Sequence, residues 1–315
     1  MSKSVPVLNA QEVASLIAHV DAVGEMRRAF AALASGLAVQ PPQTLALFPN
    51  GAGDFITYLG VLAEAKVFGA KLSPYIAQPT GGLVTAWTVL MSMETGEPVL
   101  LCDSKQLTTE RTAATTALAV DLLAPREASR LAIIGTGAAG RAHLRHVLPL
   151  RAWSEVRVYS RGLAGDTDRC RALASVDPRV LTGSDLGRAT RGADVVLLCT
   201  SSGTPVLDPA TLDRPALITS ISTNAPRAHE VPPASLGTMD VFCDYKATTA
   251  AAAGEMAIAA AEHGWSPSAV VGDLADLVAG RISPPSYRRH AYFRSIGLGL
   301  EDVAMANALL QVAAG

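Results

Sequence analysis

The sequence predicts an α/β protein of two domains, one a doubly wound parallel sheet and the other a smaller α+β unit. Three observations carry this reading. The 315 residues are 49% hydrophobic and only 17% charged, enough apolar mass for two filled cores at about 100–200 residues each. From residue 130 onward, short apolar runs alternate with helical stretches, the pattern of strands buried on both faces of a parallel sheet. Earlier in the chain, β-favouring runs are instead broken by Pro, Asn and Gly. The segment "APREAS" at 124–129 has the composition of a linker, so the boundary is set at 1–124 and 125–293.

Taken in order, Asn9 with Glu12 three residues later caps a first helix, whose apolar stripe is Val13, Leu16, Ile17 and Val20. A second helix runs through Val23, Met26, Phe30 and Leu33 and stops at Gly36. "TLALFP", "FITYLGVL" and "FGAKLSPY" read as strands. "LVTAWTVLMSM" and "PVLLCD" flank "ETGE" as a hairpin, and 106–123 returns to helical composition. Beyond the linker come strand "LAIIG", a helix from Ala138 and strand "EVRVYSR". A helix near Thr167–Ala174 precedes the strand-like segments "RVL", "ADVVLLCTS", "ALITSIS" and "DVFCDY". An alanine-rich helix at 248–261 follows, and "YFRSIGLGLEDVAMANALLQVAAG" reads as a closing helix with a glycine-rich entry.

The functional signal lies in "RLAIIGTGAAGRAHL" at 130–144, where an apolar strand runs into a helix across a glycine-rich turn. Gly135, Gly137 and Gly140 fit G-x-G-x-x-G: one glycine for the tight turn, one for close approach to a pyrophosphate, one for helix–strand packing. With Ala138 and Ala139 they open a helix whose free N–H groups face the phosphates. This predicts a Rossmann-like dinucleotide site. At the end of the second strand, where an NAD-preferring site places a carboxylate, the chain has Ser160 and Arg161. A hydroxyl and a guanidinium suit a 2′-phosphate, so NADP(H) is favoured and NAD(H) is the alternative. Thr200 and Ser201 end a later strand at the edge where open α/β folds bind ligands.

Other classes find no support. A formal net charge of −2 gives no basic footprint for nucleic acid. No apolar run approaches the roughly 18 residues of a membrane span. The start of the chain has no continuous apolar stretch of the signal-peptide kind, and four cysteines without CxxC spacing read as reduced thiols, so a cytoplasmic location is expected. His143 and His146 share a helix face without a third ligand in a suggestive position, so no metal is expected and both are read as solvent-exposed.

Residues 93–119, "METGEPVLLCDSKQLTTERTAATTALA", followed by "IIGTGAAGRAH" and closed by "VAGRI" and "FRSIGLGLEDVAMA", resemble the ornithine cyclodeaminase/mu-crystallin family. The similarity runs in order along nearly the whole chain. It implies a homodimer whose first domain binds substrate and pairs subunits, completed by the C-terminal helix at about 294–315. It also implies nicotinamide-dependent chemistry at the α-amino or α-imino group of an amino acid. By this resemblance Lys71 faces the substrate, and Arg111 grips its carboxylate. Ser295 and Ile296 approach the nicotinamide. Arg111 begins a stretch of small residues suited to tight packing, which argues against a surface pair with Glu110 or Asp103.

Two departures set the expected activity. Gln43 stands where the family commonly has an arginine, and Asn224 stands where true cyclodeaminases carry an aspartate. Ring closure needs a base to deprotonate the distal amine, worth about 10²–10⁴ in rate, and an amide cannot serve. Reduction of a preformed cyclic or linear α-imino acid has no such requirement. That reductase activity is the expectation. Cyclodeamination of L-ornithine to L-proline, or ligand binding with little turnover, are the alternatives.

Overall fold

The computed structural model describes residues 5–79, 81–222 and 227–314. It divides into two compact units, one of Met1–Arg111 with Gly297–Gly315 and one of Thr112–Ile296. Both divisions fall close to the residues proposed above for function. The first falls within a helix that runs unbroken from Lys105 to Leu123.

The first unit is built on a mixed sheet. Its strands are β1 (Val7–Leu8), β2 (Ala38–Val39), β3 (Thr44–Leu47), β4 (Gly53–Leu62), β5 (Val67–Ile76), β6 (Leu83–Val84), β7 (Trp87–Ser92) and β8 (Pro98–Asp103). The order is β1-β8-β7-β5-β4-β2, with β3 paired to β4 and β6 to β5. Helix α1 (Ala10–Ile17) opens with the capping box read from the sequence: the Asn9 side chain accepts from the Glu12 N–H while Glu12 accepts from the Asn9 N–H. Helix α2 (Ala22–Ala34) buries Met26, Ala29 and Phe30. The β7–β8 hairpin forms around "ETGE", with Leu90 opposite Leu100 and Gly96 at φ +71°.

Helix α3 (Lys105–Leu123) leads out of this sheet and is buried around nearly its whole girth beyond Arg111, which its run of Ala and Thr permits. In the second unit β9 (Arg130–Ile134), α4 (Ala138–Val147), β10 (Glu155–Tyr159), α5 (Thr167–Ala174), β11 (Val180–Gly183), α6 (Leu186–Thr190) and β12 (Val195–Leu198) alternate, and β13 (Leu217–Ser220) follows β12 with no α-helix between them. Next come β14 (Asp240–Cys243), α7 (Lys246–Ala252), α8 (Gly254–Glu262), β15 (Val270–Asp273), α9 (Leu274–Val278) and β16 (Ala291–Arg294). All eight strands pair in parallel, in the order β11-β10-β9-β12-β13-β16-β14-β15. The order reverses between β9 and β12, which makes that crevice the topological switch point of a Rossmann-like sheet. The final helix, α10 (Gly299–Ala314), belongs to the first unit.

The short elements β1, β2, α6, β15 and α9 have no counterpart in the sequence reading, and two elements that it did place differ. "AYFR" is a strand and not part of the closing helix: β16 inserts between β13 and β14, fully buried. The alanine-rich helix is two helices broken at Ala253, whose backbone is extended at φ −74° and ψ 124°, and Gly254 beside it lies so close to Ala228 that a Cβ there would come within 2.3 Å of its carbonyl oxygen.

Candidate active site

In the first unit, the core face of the sheet sets three residues side by side: Tyr58 on β4, Lys71 on β5 and Thr88 on β7 are cross-strand neighbours. Helix α10 packs directly on this face. Gly60 and Gly299 make that possible, since a Cβ on Gly60 would stand 2.7 Å from the Leu300 Cα and one on Gly299 2.3 Å from the Leu59 carbonyl oxygen. The close approach brings Glu301 and Asp302, both wholly buried, over Lys71 and over Arg111 of α3.

The four charges form one cluster. Lys71 Nζ pairs with Asp302 Oδ2 at 2.9 Å and lies 4.0 Å from the centre of the Tyr58 ring. Its ammonium also donates to Thr108 Oγ1 at 3.4 Å. Arg111 donates through Nη1 to Glu301 at 2.8 Å and through Nε to Asp302 at 3.0 Å. Burial pushes the Lys71 ammonium down to about 8; Asp302 opposes the shift and Arg111 adds to it. The Arg111 guanidinium is raised despite its burial, because both carboxylates face it. Arg111 is thus no surface residue; neither Glu110 nor Asp103 holds it in a solvent-facing pair.

Gln43 belongs to the same neighbourhood. Its amide donates to the Gly297 carbonyl, and Gly297, at φ +76°, lies so close to the guanidinium that a Cβ would stand 2.2 Å from Arg111 Nη1. Thr108 also lines a cavity of about 400 Å³ with Ser73, Thr85, Ala86 and Lys105. Glu301, Asp302, Tyr58 and Thr108 were not among the residues read from the sequence. A signal for the first two exists: adjacent acids inside "GLGLEDVAMANALL", where the surrounding helix is otherwise apolar, mark a buried pair in need of cations.

In the second unit the glycine turn has the form that a dinucleotide needs. Gly135 has φ +123°, and a Cβ there would stand 2.4 Å from the Cys199 carbonyl oxygen. Gly140 packs on Gly135, where a Cβ would come within 2.2 Å of its carbonyl. At Gly137, by contrast, nothing lies within 4 Å of the Cβ position, and no side chain caps α4, whose first residues are Ala138 and Ala139. An open approach beside uncapped N–H groups fits a pyrophosphate. Gly137→Val is therefore expected to leave stability within about 0.5 kcal/mol by urea denaturation while weakening NAD(P)H binding at least tenfold by fluorescence titration.

Ser160 caps a short turn, its hydroxyl accepting from the Gly162 N–H, and Arg161 beside it is exposed. Ser201 is exposed and Thr200 half-buried; Ser295 and Ile296 are buried, both held by Asp244, which accepts from Ser295 Oγ at 3.1 Å and the Ile296 N–H at 2.7 Å. Asn224 lies outside the described residues. His143 is not solvent-exposed as read from the sequence: it is fully buried, with Nε2 bonded to Thr116 Oγ1 at 3.0 Å and Nδ1 to the Ala139 carbonyl at 2.7 Å, because its helix face packs on α3. Among the described residues no group of three or more His, Cys, Asp or Glu side chains is placed to hold a metal ion, and no helix is long and apolar enough to cross a membrane.

This arrangement can be set beside known proteins. The chain is 58% identical over 313 residues to an NAD(P)H-dependent anabolic L-arginine dehydrogenase of Pseudomonas aeruginosa, covering 99% of both chains. It is 27% identical over 230 residues to a Δ1-pyrroline-2-carboxylate reductase of Colwellia psychrerythraea, covering 71% of this chain and 72% of that one. Its fold matches that of the Thermococcus litoralis Δ1-pyrroline-2-carboxylate reductase, solved with NADH and L-proline, with a TM-score of 0.90 at 22% identity over 98% of each chain. The model of the ornithine cyclodeaminase/mu-crystallin family matches residues 4–314. A two-unit chain with an uncapped glycine turn and a buried Lys–Arg–carboxylate cluster, matched from end to end, belongs to the ornithine cyclodeaminase/mu-crystallin family.

Proposed function

We propose that the protein is an NAD(P)H-dependent amino-acid dehydrogenase that works in the reductive direction, turning a linear α-imino acid into the L-amino acid. The observation that carries this is the 58% identity to an L-arginine dehydrogenase across 99% of both chains. On that ground the first substrate is the imine that the 2-oxo acid of arginine forms with ammonia.

The residues of the first unit suit this role. Arg111 and Lys71 present the cationic side of the buried cluster to an α-carboxylate, and Lys71, eased towards proton loss by burial, delivers a proton to the imine nitrogen. The dinucleotide supplies the hydride. Lys71 and Arg111 balance Glu301 and Asp302, and Gln43 adds no further positive charge, so the cluster has no net positive charge to repel a substrate whose own side chain is cationic. A 400 Å³ cavity bordered by Thr108 is ample for a linear side chain.

Two finer points belong to the same reading. Ser160 and Arg161, with no carboxylate at the strand end, favour NADPH over NADH. Leu59, Phe68, Leu72 and Trp87 stand exposed on one face of β4, β5 and β7, where the strand register groups them into an apolar patch suited to pairing two subunits. Four free cysteines suit the reducing cytoplasm, the proposed compartment.

The test follows NADPH and NADH oxidation with the 2-oxo acid of arginine and ammonia, identifying the product as L-arginine. Arg161→Ala is expected to lower kcat/KM for NADPH about tenfold and leave that for NADH within twofold. Ammonia and proline released from L-ornithine, with no turnover of the oxo acid, would overturn the proposal in favour of a cyclodeaminase.

A further inference from the structure

Glu230 is completely buried in the second unit, yet no step of the chemistry above uses it. Its carboxylate accepts four hydrogen bonds. Oε1 takes the Thr200 N–H at 2.8 Å and the Thr200 hydroxyl at 2.7 Å. Oε2 takes the Ser220 hydroxyl and the Ser222 N–H, each at 2.8 Å. Its own carbonyl receives the N–H groups of Val206 and Leu207. One side chain therefore ties together the segment leaving β12 and the segment leaving β13. Ser222 sits at φ +49°, a conformation that non-glycine residues rarely adopt, and its N–H is one of the four held.

The position in the sheet gives this clamp a purpose. In a doubly wound sheet each half serves one mononucleotide, across the carboxyl edge on either side of the switch point. The glycine turn after β9 and the Ser160–Arg161 corner after β10 belong to one half; the ends of β12 and β13 belong to the other. With its acceptor positions filled by donors, Glu230 is not placed to shuttle protons. We infer that Glu230 is a positioning residue that fixes Thr200 after β12 and Ser220 and Ser222 at the end of β13 as the nicotinamide end of the dinucleotide site. The inference rests on the dinucleotide reading given above.

Glutamine keeps the shape but not the pattern. Its carbonyl can still accept from Thr200, whereas its amide N–H groups would meet the Ser222 N–H, donor against donor. The Ser222 segment is then released. Affinities of wild type and Glu230→Gln for NADPH and for 2′-phospho-ADP-ribose, which lacks the nicotinamide, are to be measured by calorimetry, with kcat and KM in parallel. The variant is expected to bind NADPH about tenfold more weakly, to bind the truncated ligand within twofold of wild type, and to lose kcat. If Glu230→Gln does not fold, Thr200→Val and Ser220→Ala each remove one hydroxyl donor to Glu230, and each is expected to show the same selectivity at about threefold. Equal weakening of both ligands would show a general structural role and overturn the inference, as would unchanged NADPH binding and kcat. Wild type that binds neither NADPH nor NADH overturns the dinucleotide reading, and this inference with it.

Discussion

Arg111→Met is expected to destabilise the protein by about 3–5 kcal/mol, the cost of leaving buried carboxylates without their cation. Glu301 and Asp302 are both wholly buried and both bonded to the guanidinium, so its loss leaves two buried carboxylates facing one remaining cation, Lys71. Turnover is expected to fall as well, by about 10- to 150-fold in kcat/KM, since a charged hydrogen bond to an α-carboxylate is worth about 1.5–3 kcal/mol. The two effects separate in a compensated variant. Arg111→Met combined with Glu301→Gln removes one cation and one carboxylate, keeps Asp302 paired with Lys71, and is expected to recover most of the stability, measured as the urea midpoint, while activity stays lost. Arg111→Lys cannot span both carboxylates and is expected to fall between the two. A single Arg111→Met variant as stable as wild type would contradict the burial argument. Full activity in the compensated variant would remove Arg111 from the substrate site.

What the sequence disclosed and what it concealed divide by the range of the interaction. The capping box at Asn9 and Glu12, the hairpin around "ETGE" and the glycine turn at 135–140 are signalled by residues within a few positions of one another, and each is present in the fold. Strand β16 is four residues long, and both its partners lie far back in the chain, Leu217–Ser220 and Asp240–Cys243. Nothing local distinguishes its buried apolar run from the start of the helix that follows. The site divides in the same way. Lys71 and Arg111 came from a resemblance, but the carboxylates that hold them come from a helix some 190 residues beyond Arg111, and it is the tight packing at Gly60 and Gly299 that brings those acids to these cations. His143 misled for the opposite reason: its helix spacing is compatible with an exposed face, and only the tertiary contact with Thr116 buries it.

The rate of imine reduction is expected to be level from pH 6.5 to 7.5 and to fall about tenfold per unit above pH 8, as Lys71 loses the proton it must deliver. Oxidation of the amino acid is expected to rise through the same pH and then level, because there Lys71 must accept a proton. The groups facing its ammonium fix the midpoint: Asp302 and Glu301 from α10 hold the proton on, while burial and Arg111 from α3 drive it off. Lys71→Met is expected to lose about 10²–10⁴ in rate and the pH step with it. Run in the same buffers, it removes the titration of ammonia from the comparison. Stability provides an independent check with its own sign. Lys71 is lowered from 10.5 to about 8 on folding, so between those values the unfolded chain binds the more protons, and this residue's contribution to stability increases as pH rises from 8 towards 10.5. Below pH 8 Lys71 is protonated in both states and its contribution is constant. The difference in unfolding free energy between wild type and Lys71→Met should therefore shift in favour of wild type across the window in which wild-type reduction slows. A reduction rate independent of pH up to 9.5, or a Lys71→Met enzyme as fast as wild type, would show that another group or solvent supplies the proton. Stability that stays flat across that window would show that burial leaves the lysine's titration unchanged.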